Sequence, residues 1–254
     1  MSIYQPGSPT VKAENVSVSF KIDREGTSTI KEAALRLFRK PVPNSLFWAL
    51  QDVSFTLCEG DRLGVIGRNG SGKTTLLSLL AGIYSPSKGR VFTQGRVVAL
   101  LGLGVGFDTE ITGRQNIFLN ASLYGISGRE IAGRVDDIIA FADIGEFADL
   151  PVKTYSSGMV ARMGFAVASH IDADILILDE VLAVGDAQFR AKCAERMNQL
   201  RSRAKTFILV SHDASAIQEM CNRAIWLDRG KVVASGGTEE VLSAYTAKYM
   251  PKSK

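Results

Sequence analysis

Cysteine is scarce in this chain: three residues in 254, Cys58, Cys193 and Cys221, odd in number and far apart. Neither a disulfide framework nor zinc-ligand spacing can be built from them, so a reducing cytosol is the expected compartment. A secretory leader is also missing, because MSIYQPGSPT has neither a charged start nor an apolar stretch. Long apolar runs are absent too. The longest uncharged one, VVALLGLGVGF at 97–107, is too short and too glycine-rich to span a bilayer. Any work at a membrane is then done from the water side. A dense basic stripe of the kind that nucleic-acid binders carry is not found, nor is an internal repeat or a heptad run.

The composition that remains, 46% hydrophobic and 22% charged, suits an α/β domain with a large core. The net charge of +4 sits at the ends: residues 1–40 hold seven Lys/Arg against four Asp/Glu, and the last ten hold three Lys and no acid. Such ends fit either ordinary solvation or contact with an anionic membrane face or partner. Alternation from Val16 to Phe20 predicts a strand, as do VSFTL at 53–57 and RLGVI at 62–66. Helical spacing predominates from about 107 to 170, with helices expected near 113–124, 127–142 and 157–170, and this stretch is expected to form a separate lobe. Strands at 174–179 and 206–211 then alternate with helices at 186–202 and 213–221. Two short strands and a last helix from about 239 follow. This order predicts a parallel sheet covered on its faces. Between the first two strands, TIKEAALRLFRKP reads as a short amphipathic helix over 29–41. Thr29 and Glu32 have capping-box spacing, Pro41 is a stop, and Lys31, Arg36, Arg39 and Lys40 lie on one side. Either it packs on its own domain or it lies at a membrane interface.

Three constellations carry chemistry. GRNGSGKTT at 67–75 follows an apolar strand and precedes a helix, and Gly67, Gly72, Lys73 and Thr74 fill the G-x-x-x-x-G-K-[ST] pattern. Glycines let backbone N–H groups of Asn69, Gly70, Ser71, Gly72 and Thr75 converge on phosphate oxygens, and the helix N-terminus adds positive potential. Lys73 is placed to reach the β- and γ-phosphates, and the Thr74 hydroxyl to ligate Mg²⁺. ILILDE at 175–180 then ends a doubly buried strand on two carboxylates, which need a cation to offset their desolvation. Asp179 suits the Mg²⁺ and Glu180 the water that attacks the γ-phosphate, as general base.

YSSGMVARMGFAVASH at 155–170 places Ser-Ser-Gly at a helix start, and here the chain resembles the ABC-type ATPases. Their usual Leu-Ser-Gly-Gly-Gln reads Tyr155-Ser156-Ser157-Gly158-Met159 in this sequence. The resemblance implies a P-loop NTPase core of ABC type with an N-terminal antiparallel β region and an inserted α-helical subdomain. It also implies that Ser156, Ser157 and Gly158 touch the nucleotide of a second copy, that Asp186 is the D-loop aspartate and that His212 contacts the γ-phosphate. Within the superfamily, the stretches LLGLGVGF, ITGRQNIFLNASLYGIS, PVKTYSSGM and DEVLAVGDAQFRAKC look like the ATPase subunits that export lipid-linked polysaccharides, namely O-antigen, teichoic acid and galactan. Some of those add a C-terminal carbohydrate-binding β-sandwich, for which 254 residues leave no room.

The expectations are therefore ATP and Mg²⁺ as cofactors, an ATP-sandwich homodimer and an integral membrane permease partner. Lipid-linked polysaccharide is expected as an indirect partner, nucleic acid is not, and the expected location is the cytoplasmic face of the membrane. A soluble ABC ATPase of DNA repair or translation, or a subunit for another ABC substrate, is the competing expectation. Two assignments stay open. The glutamine that usually heads the helical lobe is missing, with Asp108 or Glu110 as stand-ins, and the aromatic on adenine is either Phe20 or Trp48.

Overall fold

The computed structural model describes residues 7–22, 45–102, 104–179 and 185–249. The helix expected over 29–41 lies outside them.

β1 (Pro9–Ile22) pairs antiparallel with β2 (Ser45–Cys58) on one side and β4 (Lys88–Thr93) on the other, giving a three-stranded sheet. The alternation in β1 explains its placement: Val11, Ala13, Val16 and Val18 are buried, while Lys12 and Glu14 face water. A second sheet has the order β5-β6-β7-β3-β8-β9, made of β5 (Val97–Leu100), β6 (Ile175–Asp179), β7 (Thr206–Val210), β3 (Arg62–Ile66), β8 (Arg223–Asp228) and β9 (Lys231–Gly237). All its neighbours are parallel except β8 and β9. Its inner strands are continuous apolar runs because both faces are covered. Ile175 and Ile177 pack with β1, β2 and α1 (Lys73–Leu80), whereas Leu176 and Leu178 pack against the helices of the opposite face. At one corner the sheets are joined by a buried hydroxyl pair, Thr10 and Thr206, with oxygens 2.6 Å apart.

That opposite face carries α2 (Gly113–Leu123), α3 (Gly128–Ala132), α4 (Val135–Ala142), α5 (Ser157–Ser169), α6 (Ala187–Arg203), α7 (Ala214–Met220) and α8 (Thr238–Tyr249). Ile117, Ile131, Ile138 and Phe165 share one hydrophobic cluster with Leu100, Leu176 and Phe207. The helices of 113–169 thus extend the core of the sheet rather than enclosing one of their own. The helix expected over 127–142 is two helices, broken at Gly133 and Arg134. Arg134 is held from outside, donating to the His170 carbonyl and, at 2.8 Å, to Asp172.

The register places the site. Val65 pairs with Val210, and Val210 pairs with Asp179. The carboxyl ends of β3, β7 and β6 therefore finish level, and whatever follows each strand meets at one edge of the sheet, where open α/β sheets bind ligands.

Candidate functional site

The loop leaving β3 turns through Gly70 and Gly72, at φ +76° and +104°. At Gly72 a side chain would also strike the Ala49 carbonyl, 2.6 Å from the position of its Cβ. Both demands exclude other residues there. Gly72 caps α1 with no side-chain hydrogen bond and no acid in the first turn. The start of that helix thus carries no capping side chain and no negative charge of its own in the first turn, an arrangement suited to an anion. Lys73 lies across the loop, donating to the carbonyls of Gly67 at 2.7 Å and Arg68 at 3.1 Å. The Ser71 hydroxyl is buried with no hydrogen-bond partner among the described residues.

An open cleft of about 620 Å³ follows this loop. It is lined by Asn69, Gly70, Gly72, Lys73, Thr74 and Thr75 from the loop and α1, Asp179 from β6, Val210 and His212 from β7 and beyond, and Phe47 and Ala49 from β2. The fold thus brings the loop, the carboxylate and the histidine to one cavity from three strand ends far apart in sequence. Glu180 lies outside the described residues. A hydroxyl (Thr74) and a carboxylate (Asp179) lining the same cleft suit Mg²⁺, which takes few protein ligands and fills its octahedron with phosphate oxygens and water.

Of the two aromatics expected on adenine, neither Phe20 nor Trp48 is among the residues that line the cleft. Phe20 meets Tyr84 edge-on at 5.4 Å, and Trp48 lies under the Lys88 ammonium at 5.1 Å. The aromatic at the cleft is Phe47, the register partner of Phe20, whose ring is about half exposed.

Ser156, Ser157 and Gly158 are exposed at the start of α5 and do not line this cleft. Ser156 accepts from the Met159 N–H at 3.2 Å and caps the helix. A Cβ on Gly158 would meet only the Ser156 hydroxyl, at 3.8 Å, and its φ is not positive. Nothing within the described chain requires glycine there. Asp186 caps α6 by accepting from the Phe189 N–H at 2.8 Å. Of the two stand-ins for the missing glutamine, Asp108 accepts from the Glu110 N–H at 2.9 Å and Glu110 pairs with Lys153 at 2.7 Å, and neither lines the cleft. Gln115 belongs to the capping box of α2, accepting from the Thr112 N–H at 3.0 Å. All three cysteines are buried, and burial pushes the thiols of Cys193 up to about 11 and Cys221 up to about 12.

Comparison with known proteins agrees with this geometry. Residues 50–183 match the family model described as ABC transporter. The O-antigen export system ATP-binding protein RfbB of Klebsiella pneumoniae is 40% identical over 239 residues, spanning 93% of this chain and 97% of that one. The ABC transporter protein AbcA of Aeromonas salmonicida is 44% identical over 93% of this chain and 76% of its own length. The teichoic acids export ATP-binding protein TagH of Bacillus anthracis is 40% identical over 92% of this chain but only 42% of its own length. Among solved structures, an ATP-binding subunit of an ABC transporter superposes with a TM-score of 0.68 at 19% identity, covering 94% of this chain and 95% of that one. A dimeric ATP-binding cassette bound to ADP and Pi gives 0.65 at 21%, covering 90% and 98%. At such identities the likeness is one of fold. With the loop, the strand-end carboxylate and the histidine at one cleft, a family model matched over residues 50–183, and one relative 40% identical over 97% of its length, this chain belongs to the ABC transporter family.

Proposed function

We propose that this chain is the ATP-hydrolysing subunit of an exporter that moves a lipid-linked polysaccharide across the cytoplasmic membrane. The observation that supports the reading most is the 40% identity to an O-antigen export ATP-binding protein over nearly the full length of both chains. A cassette shared only for its fold would not match from end to end at that level.

In this reading the N–H groups of the 67–75 loop and the first turn of α1 hold the triphosphate, and Lys73 neutralises charge between its last two phosphates. Thr74 and Asp179 would hold Mg²⁺, which supplies charge neutralisation on the phosphate oxygens. Glu180, directly after Asp179, orients the attacking water and accepts its proton, and His212 contacts the γ-phosphate from the end of β7. Phe47, from the opposite wall, packs on the base. Ser156, Ser157 and Gly158 complete the site of a second copy, so two sites form at one two-fold interface with ATP between the copies. No helix of the described residues is long and apolar enough to cross a membrane. In this reading transport passes through a separate permease, with this chain on its cytoplasmic face.

Deleting the gene in its native cell tests this. The expected result is loss of surface polysaccharide with lipid-linked polymer retained inside, restored by the wild-type chain and not by Lys73→Ala. Normal surface polymer in the deletion strain, or full rescue by Lys73→Ala, would overturn the assignment.

A further inference from the structure

The phosphate loop is backed by a part of the chain that nucleotide contact does not use. Gly230, in the turn between β8 and β9, donates its N–H to the Ser71 carbonyl at 2.9 Å, and its own carbonyl accepts from Gln51 at 2.8 Å. A Cβ on Gly67 would collide with the Leu227 carbonyl. The end of β8 therefore fits against the loop backbone with no room to spare. Next in sequence, Asp228 accepts from the Tyr249 hydroxyl at 3.2 Å and from the Lys248 ammonium at 3.5 Å, which ties the end of α8 to the same turn.

From that position the Tyr249 ring reaches the loop. The Arg68 guanidinium lies 5.7 Å from its centroid, within the range where a cation is attracted to an aromatic face. Arg68 is also the residue whose carbonyl accepts from Lys73 Nζ and from the Ser71 N–H, both at 3.1 Å. Behind it, Trp226, Tyr245 and Tyr249 pack together with centroids 5.1 to 5.7 Å apart. The Lys248 ammonium sits 4.9 Å from the Trp226 centroid, and Trp226 is buried. The ring that meets Arg68 is thus held from two directions, by a carboxylate at its hydroxyl and by a packed aromatic pair.

We propose that the end of α8 is a positioning element of the nucleotide site. Tyr249, oriented by Asp228, holds Arg68 and with it the first turn of the phosphate loop, so nucleotide affinity is set in part from the C-terminal helix. The inference rests on residues 67–75 being the nucleotide loop. It adds Tyr249, Asp228 and Arg68 as residues that act through the loop rather than on the phosphates.

The test is MgADP binding by the full chain and four variants: Tyr249→Ala, Tyr249→Phe, Arg68→Ala and the Arg68→Ala/Tyr249→Ala double, with a melting temperature for each. Tyr249→Ala and Arg68→Ala are each expected to weaken binding about three- to fivefold, the size of an exposed cation–π contact. The double variant should be no weaker than the worse single one, and Tyr249→Phe, which keeps the ring but loses the Asp228 hydrogen bond, should recover part of the loss. Should Tyr249→Ala fail to fold, Arg68→Ala reads the same contact from the loop side. In a Trp48→Phe background Trp226 is the remaining tryptophan. Its emission should then change on MgADP addition, and Arg68→Ala should abolish that change. Unaltered affinity in both single variants, losses that multiply in the double variant, or a silent Trp226 would overturn the inference while leaving the nucleotide reading intact. Failure of the wild-type chain to bind MgADP would overturn both.

Discussion

Asn116 does more for the approach to the helical region than any residue the motifs single out. Its side chain is fully buried inside α2, and it makes four contacts with the 108–112 loop. The amide oxygen accepts from the Asp108 N–H at 2.8 Å, and the amide nitrogen donates to the carbonyls of Asp108 at 2.8 Å, Thr112 at 3.0 Å and Ile111 at 3.3 Å. Asn116→Ala removes this partner from the Asp108 N–H and carbonyl, while the Ile111 and Thr112 carbonyls keep the N–H groups of Val152 and residue 116; a polar group left unmet costs about 1–3 kcal/mol. Measured by urea denaturation, the variant should lose roughly 2–3 kcal/mol, whereas Gln115→Ala, which removes an exposed capping contact, should lose about 1 kcal/mol or less. Equal losses would refute the bracket. This residue was not legible in advance, because asparagine inside a helical pattern looks like a solvated position until the neighbouring loop is known to fold back over it. The place of Phe47 at the cleft is not legible for a related reason. Which face of β2 meets the phosphate loop depends on the close approach of Ala49 to Gly72 and on an irregular register with β1 between Val18 and Ser19, and neither is written in the local pattern.

Among the elements, the strands that the pattern showed are those with clear alternation or an unbroken apolar run, and the ones it hid are β4 and β5. KGRVFT in β4 is mostly exposed along its length, and VVAL in β5 is four residues at the head of a run that ends in glycines at positive φ, Gly102, Gly104 and Gly106. Both exist because a neighbouring strand supplies the ladder. For β5 that neighbour is β6, and the connection is secured by Asp174. Its carboxylate accepts from the Arg96 N–H at 2.8 Å and pairs with the Lys205 ammonium at 2.9 Å, knitting the starts of β5, β6 and β7. The Arg96 N–H foremost, and then Lys205, hold this carboxyl below its ordinary value of 3.8. A carboxyl lowered in the folded state stabilises the fold above the ordinary value, and that contribution is lost as pH falls through the lowered one. Asp174→Asn should therefore cost about 1 kcal/mol at neutral pH. The gap to wild type should close as the pH is taken below 3.8 in a series of denaturation curves. A gap independent of pH would mean that the charge contributes nothing.

For the whole molecule, the distribution of nucleotide motifs is itself an argument about assembly. The loop, Asp179 and His212 share one cleft, yet Ser156, Ser157 and Gly158 stand exposed at the start of α5, away from its lining. The fold and the first half of the site were readable from sequence because strand-end motifs are fixed by parallel register. The part proposed to serve a second copy is expected only through family resemblance, since a second copy has no trace in one chain's periodicity. Gly158 separates a role in folding from a role in assembly. Its Cβ position is open and its backbone does not need glycine, so Gly158→Ala should leave the melting temperature unchanged or slightly raised, given that alanine favours helix over glycine by up to about 1 kcal/mol. MgADP affinity of the single chain should also be unaffected. If a phosphate of a second copy's nucleotide approaches this backbone, the added methyl obstructs it. Glu180→Gln should then form a dimer with ATP and Mg²⁺ on a sizing column, while Glu180→Gln/Gly158→Ala should remain smaller at the same nucleotide concentration. A double variant that dimerises as readily as Glu180→Gln alone would show that α5 does not complete a partner's site, and the two-fold arrangement proposed for hydrolysis would fall with it.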